Sequence, residues 1–176
     1  MKIMSELCQN DQQVSDGANL LISMLVRYPE IGTINFDPEA NSLKLTFMIS
    51  GIPTARDFEV VKRLIINSIA AYHLLEGVTT DRIDVELSSY EKVAMLTVQR
   101  DVHTMSRGEI GLTIKLLRDR FADLLVADRN DAMLEEDLLF QEEVIEDMLE
   151  NMRKKDNDDH SLIGIREDGR VFVFNK

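Results

Sequence analysis

Residues 43–49 read Leu-Lys-Leu-Thr-Phe-Met-Ile, and this heptapeptide decides the fold class that the sequence predicts. Every second side chain is apolar, and Lys44 and Thr46 lie between the first apolar ones, a period of two that is typical of a half-buried strand. Residues 34–36 form a short apolar segment before it, and the turn-forming residues 37–42 separate the two. We therefore predict a β-hairpin here.

A helix is predicted directly after this hairpin. Apolar side chains recur at helical spacing from Phe58 to Tyr72, and either Thr54 or Asp57 can cap the beginning of the helix. Gly77 stands where a helix commonly ends. The first unit of the chain therefore reads strand, strand, helix.

The same order of elements recurs in the next part of the chain. Residues 83–87 and 93–98 alternate like strands, and Ser106 opens a helix whose apolar stripe extends to Leu124. Two such units, which we interpret as an internal repeat, can join into one antiparallel sheet with both helices on one face. We therefore predict an α+β fold around a four-stranded antiparallel sheet.

Further segments flank this core. A helix that stops at Pro29 precedes the first unit, and the last part of the chain contains the hairpin signal Asp168-Gly169 between two apolar runs. The predicted organisation is, in chain order, a polar N-terminal segment (1–14), the core (15–128), an acidic amphipathic helix (129–155), a linker (156–160) and a β-hairpin (161–176).

Composition narrows the class of protein. The chain has 176 residues and a net charge of −12, a size that suits one compact domain. Residues 131–160 hold twelve of the acidic side chains and three basic ones, so most of the negative charge belongs to one helix and its linker. Clustered Lys and Arg are scarce, which makes nucleic acid an unfavourable main partner.

Several functional classes lack their sequence signals. No apolar run approaches the roughly 20 residues that span a membrane, and the first ten residues do not resemble a secretory signal. We therefore predict a cytoplasmic protein without a membrane partner. Cys8 stands alone among the 176 residues and cannot form an internal disulfide. No phosphate-binding glycine motif, zinc motif or nucleophile elbow is present in the sequence.

The acidic helix carries carboxylates at four-residue spacing, Glu142, Glu146 and Glu150. Such a row can hold a hard cation, or a di-iron centre when a histidine lies one turn away. This helix contains no histidine, so we interpret the row as the solvated face of an amphipathic helix. We predict no catalytic residue, metal or cofactor from these patterns.

Two loops offer the residue types that bind an anion. Loop 51–57 supplies Thr54 and Arg56, and loop 100–108 supplies a hydroxyl, an arginine and a histidine at the beginning of the next helix. Free backbone N–H groups at a helix N-terminus favour negative charge. We expect both loops to meet at one end of the sheet, with Thr54 and Ser106 as simple helix caps in the alternative interpretation. The candidate ligand-binding residues are Thr54, Arg56, His103, Ser106 and Arg107.

For function, the sequence favours a non-enzymatic, self-associating interaction or regulatory protein. A wide methionine-rich stripe on the acidic helix suits an adaptable contact surface, and homo-oligomers or another protein are the expected partners. The alternative is a binding protein or enzyme for an anionic small molecule at loops 51–57 and 100–108. A nucleic-acid-associated role is a third alternative. The predicted interaction surface comprises Leu138, Ile145, Met148, Met152, Phe172 and Phe174.

Overall fold

The alternating heptapeptide lies inside an interior strand of a single sheet in the computed structural model, which describes residues 3–5, 15–128, 133–154 and 160–176. The strands are β1 (Ile3–Ser5), β2 (Ile31–Asp37), β3 (Ser42–Ser50), β4 (Ile83–Tyr90), β5 (Val93–Asp101), β6 (Leu162–Glu167) and β7 (Arg170–Asn175). The helices are α1 (Asp16–Arg27), α2 (Ala55–Leu75), α3 (Arg107–Phe121) and α4 (Glu135–Lys154). The predicted α+β class with an antiparallel sheet is confirmed.

The sheet is larger than the four strands that we predicted. Its order is β1-β7-β6-β2-β3-β5-β4; the six strands from β7 to β4 are antiparallel to their neighbours, and β1 pairs in parallel with β7. The terminal hairpin joins the sheet because β6 pairs with β2, and Phe36 lies opposite Leu162 in this pairing. A free edge on β2 would leave backbone hydrogen-bonding groups unpaired, and a lone hairpin is only marginally stable. The pairing of β6 with β2 satisfies the backbone groups of β2 and stabilises the hairpin.

One face of the sheet is covered by helices and holds the core. Leu45 on β3 lies opposite Val98 on β5 and Ile34 on β2, and all three are at most 2% exposed. Gly164 on β6 continues this row, and a Cβ atom there would lie 2.8 Å from Cδ1 of Leu25 on α1. Glycine at this position therefore permits the close approach of α1 to the sheet.

Arg166 ties the terminal hairpin to the end of α1. Its side chain is 8% exposed, and Nη2 donates to the carbonyl oxygens of Leu25, Tyr28 and Ile31. Cationic donors at a helix C-terminus satisfy carbonyl groups that lack an intrahelical partner. Burial lowers the pKa of Arg166, while the charges of Asp128 and Glu30 oppose that effect.

The acidic helix α4 packs on α1 within the same chain. Ile145, Leu149 and Met152 are buried against the core, and Arg27 forms an ion pair with Glu142 at 2.8 Å. The prediction that Ile145 and Met152 form an intermolecular surface is therefore wrong. The physical reason is that α1 is apolar around most of its circumference and needs a cover on the side away from the sheet.

The remaining predicted surface residues are only partly accessible. Leu138 and Met148 on α4 are half-buried. Phe172 and Phe174 are half-buried on the face of β7 opposite Val171 and Val173, and their rings stack with centroids 6.1 Å apart. These residues therefore do not form one continuous patch with Ile145 and Met152.

Some predicted segments lie outside the described residues. These are most of the polar segment 1–14, including Cys8, together with the beginning of the predicted acidic helix at 129–132 and its end and linker at 155–159. In the described part of the chain, none of the helices is both long and apolar enough to cross a membrane.

Candidate functional site

The two candidate loops lie at opposite ends of the sheet. In the register of β3 against β5, Ser50 pairs with Val93 and Ser42 pairs with Asp101. The loop that leaves β3 is therefore separated from the loop that leaves β5 by eight residue steps, about 27 Å of extended chain. The expectation that they share an end is wrong, because neighbouring antiparallel strands end on opposite sides.

Loop 51–57 contains helix-capping chemistry. Thr54 is the N-cap of α2 and its hydroxyl accepts a hydrogen bond from the backbone N–H of Asp57 at 3.1 Å. Arg56 is exposed in the first helical turn. Thr54 and Asp57 also border a cavity of about 400 Å³ with Arg120, whose guanidinium lies 3.3 Å from the Asp57 carboxylate. The charged groups of this loop are thus exposed or paired.

Loop 101–106 opens onto a cleft of about 530 Å³. The end of α2 supplies one wall, the loop and first turn of α3 supply a second, and α4 supplies a third. Three of the five predicted ligand residues, His103, Ser106 and Arg107, line this cleft, whereas Thr54 and Arg56 do not. The structure therefore divides the predicted site and leaves one half of it in a cavity of ligand size.

A buried arginine connects the sheet to the first turn of α3 beneath this cleft. Arg100 on β5 is 1% exposed and occupies the core-facing register of Ala94, Leu96 and Val98. Its Nε and Nη2 donate to the two carboxylate oxygens of Glu109 on α3 at 2.7 and 2.9 Å. This bidentate ion pair fixes the first turn of α3 to the end of the sheet. Burial lowers the pKa of Arg100, but the hydrogen bonds and charges of Glu109 and Asp101 raise it further, so it stays protonated.

His73 at the end of α2 belongs to the same buried network. Its Nε2 lies 3.0 Å from Oε1 of Glu109, and its Nδ1 lies 3.1 Å from the hydroxyl of Thr80. Nη2 of Arg100 also lies 3.3 Å from the same Nε2. Both ring nitrogens are therefore engaged in positioning α2 against α3.

Asp101 fixes the loop itself. Its carboxylate accepts hydrogen bonds from the backbone N–H and hydroxyl of Thr104 and from the backbone N–H of Arg82. Burial alone would raise the pKa of Asp101, but these hydrogen bonds and the charge of Arg100 lower it below its usual value. The ionised carboxylate thus holds the loop in one conformation.

The first turn of α3 is shaped by a capping box and a close contact. Ser106 is the N-cap; Glu109 donates its backbone N–H to the serine hydroxyl at 3.4 Å and accepts the backbone N–H of Ser106 at 2.6 Å. A Cβ atom at Gly108 would lie 2.0 Å from the hydroxyl oxygen of Tyr72. Glycine therefore lets the tyrosine lie directly against the helix end that borders the cleft.

Charged side chains of both signs face the cleft without pairing. Glu76, Arg107 and Glu146 line it, and their side chains make no hydrogen bond or ion pair with any residue that the structure describes. Arg153 donates from Nη2 to the carbonyl oxygen of Met105, and its Nε is buried without a hydrogen-bond partner within the described part of the chain. The side chains of Glu76, Arg107 and Glu146 are therefore available to a bound molecule.

The hydroxyl groups beside the cleft make hydrogen bonds that support the loop and the helix cap. The hydroxyls of Thr104 and Ser106 bond to Asp101 and to the Glu109 backbone rather than to a histidine base. Both nitrogens of His73 are occupied, and His103 is exposed at the rim. Among the residues in the described ranges, no group of three or more His, Cys, Asp or Glu side chains has the geometry of a metal site.

Comparisons with known proteins give no information on function. No family model, no curated protein and no solved structure matches this chain.

Sequence reasoning missed the residues that complete the cleft. The position of Arg100 could have been recognised, because this charged residue stands on the face of β5 whose preceding residues are apolar. Glu146 and Arg153 are seven residues apart and so share a helix face, but α4 has other charges at the same spacing. Tyr72 and Glu76 gave no signal, because their role depends on which helix end meets α3.

Proposed function

We propose that this protein binds a small molecule through an anionic group, in the cleft between α2, α4 and the first turn of α3. The supporting observation is that Arg107 and Arg153 line a cavity of about 530 Å³ at a helix N-terminus. The side chain of Arg107 is not neutralised by any residue in the described part of the chain.

Preorganisation supports the same proposal. Arg100, Glu109 and His73 form a buried network that fixes two walls of the cleft before a ligand arrives. A site that is already ordered loses less conformational entropy on binding. Loop 51–57 also begins a helix with a hydroxyl and an arginine, but its Arg56 lies outside the cavity of about 400 Å³ that Thr54 borders.

Native mass spectrometry of the full chain, purified without denaturation, tests this proposal. The expected spectrum shows the 20.1 kDa chain with the additional mass of a retained small molecule. Arg107→Gln is expected to lose that mass. Arg56→Gln is the matched control, because it removes an exposed arginine from the first turn of α2, and it is expected to retain the molecule. A wild-type chain at its bare mass that also binds no small anion such as pentanoate would contradict the proposal.

Self-association in the cytoplasm is a second candidate function, and a separate observation favours it. Leu139 and Phe140 in the first two turns of α4 are 53% and 60% exposed, and Leu134, directly before the helix, is 68% exposed. Exposed apolar patches on a protein surface often mark a contact between proteins. A second copy of this chain is the proposed occupant, and the contact would involve this end of α4 instead of Ile145 and Met152.

Light scattering coupled to size exclusion tests self-association. The wild-type chain is expected at a multiple of 20.1 kDa and Phe140→Asp at 20.1 kDa. Leu75→Asp is the control, because Leu75 is 87% exposed at the end of α2, and its mass should equal that of the wild type. A wild-type mass of one chain at all concentrations would contradict this candidate.

A further inference from the structure

We propose that the ligand of this cleft is a zwitterion, a small molecule with an anionic group and a cationic group. This inference rests on the proposed binding function and specifies the chemical class of the ligand. Its basis is that two guanidinium groups and two carboxylates line the same cavity: Arg107, Arg153, Glu76 and Glu146.

These opposite charges do not neutralise one another. No nitrogen of Arg107 or Arg153 lies within 4.0 Å of a carboxylate oxygen of Glu76 or Glu146. At surface sites, by contrast, the same chain pairs its charges, for example Glu150 with Lys154 at 3.3 Å. The gap between the two signs in the cleft is the space that a molecule with both charges would fill.

The positive charges border the beginning of α3. Arg107 is the first residue of α3, where the helix dipole is positive. Arg153 is tied to the chain just before this helix, because its Nη2 donates to the carbonyl oxygen of Met105, the residue before the N-cap Ser106. An anionic group of the ligand would therefore bind to these two guanidinium groups and to the first turn of α3.

The negative charges come from two other helix positions. Glu76 is the C-cap of α2, where the helix dipole is negative. Glu146 precedes Arg153 by seven residues on α4, which is about 10.5 Å along the helix axis. A ligand ammonium group near Glu76 and Glu146 would lie within one small molecule's length of an anion at Arg153.

A purely anionic ligand fits this lining less well. Two carboxylates without a partner would repel it, and they would lose hydration without compensation when it fills the cleft. The net charge of −12 adds a repulsive long-range field. An ammonium group on the ligand removes both disadvantages.

Titrations of the full chain, followed by the backbone amide signals of Arg107 and Gly108, test the inference. The probes are 5-aminopentanoate, pentanoate and pentylamine, which share one carbon chain and differ in charge. We expect 5-aminopentanoate to bind about tenfold more tightly than either singly charged probe, as one additional charge-assisted contact provides. Equal affinity for pentanoate and 5-aminopentanoate would overturn the inference.

Variants of α4 assign the preference to a residue. Glu146→Gln is expected to reduce the preference for 5-aminopentanoate over pentanoate by about tenfold. Glu143→Gln removes an exposed carboxylate from the same helix outside the cleft, and should keep the preference. An unchanged preference in Glu146→Gln would also overturn the inference.

The two proposals can fail separately. Binding of pentanoate at Arg107 and Gly108 without any gain from the ammonium group overturns the zwitterion inference and leaves the binding function in place. If none of the three probes shifts these amides and the purified chain retains no small molecule, both proposals are overturned.

Discussion

Loop 51–57 and loop 101–106 follow the second strand of similar units and precede a capped helix, yet only the second borders the mixed-charge cleft. Thr54 and Ser106 both cap a helix through a side-chain oxygen. The difference lies behind the loops: the second is anchored to Arg100 and Glu109 in the core. Capping residues thus start a helix, whereas buried ion pairs and neighbouring helices determine whether its end borders a cleft.

Removing the buried arginine should have the largest effect on this difference. Arg100→Met leaves Glu109 and Asp101 buried without their cation, and we expect the free energy of unfolding to fall by about 3–5 kcal/mol. Arg82→Met is the control, because Arg82 pairs with Asp84 at the surface and such pairs contribute at most about 1 kcal/mol. Urea unfolding measures both. Equal losses would show that the cleft is not anchored through Arg100.

Asp101 should make the second loop sensitive to pH. Its pKa is lower in the folded chain than the usual 3.8, so its contribution is present above that pH and is lost as the pH falls through the folded value. Asp101→Asn is expected to cost about 1–3 kcal/mol at neutral pH. The gap between wild type and variant in urea unfolding should close on acidification. A gap that stays constant down to low pH would contradict this role.

Removing the helix cap should destabilise the chain more at Thr54 than at Ser106. Thr54→Ala removes a 3.1 Å side-chain hydrogen bond and should cost about 1 kcal/mol. Ser106→Ala should cost less, because its bond is longer, at 3.4 Å, and Glu109 still accepts the backbone N–H of residue 106. Denaturant midpoints of the two variants give the comparison. A larger loss for Ser106→Ala would indicate that the serine hydroxyl, rather than Glu109, holds the beginning of α3.

The smallest expected effect distinguishes two glycines of α3. A Cβ atom at Gly111 would have no heavy atom within 4 Å beyond the backbone of its own helix, so Gly111→Ala should raise stability by about 0.5–1 kcal/mol. Gly108→Ala should give no such gain, because the new methyl group would collide with the hydroxyl of Tyr72. Thermal unfolding of both variants measures the difference. An equal gain at both positions would mean that Tyr72 does not lie against the helix end.

Local features of the fold were predictable from local residues. The apolar alternation at 43–49 falls inside β3, and Ser106 is the N-cap of α3, as its position before an apolar stripe indicates. Both depend on neighbours within a few positions in the chain. The sequence therefore predicts the elements and the α+β class.

Long-range pairing was not predictable in the same way. Strand direction places the two loops at opposite ends, and the edge of β2 recruits β6 from more than a hundred residues away. Ile145 is buried where α4 packs on α1, and the sequence of α4 alone does not indicate which surface covers it. Half of the candidate site was found, because His103, Ser106 and Arg107 are close together in the chain, but its other walls come from α2 and α4.

A crystal structure of the full chain with 5-aminopentanoate tests the central claim most directly. We expect the carboxylate of the probe to contact Arg107 at the first turn of α3, with its ammonium group toward Glu146. No probe is expected in the cavity beside Thr54. Density for the probe beside Thr54 and Arg56, or a cleft without it under saturating conditions, would contradict the account.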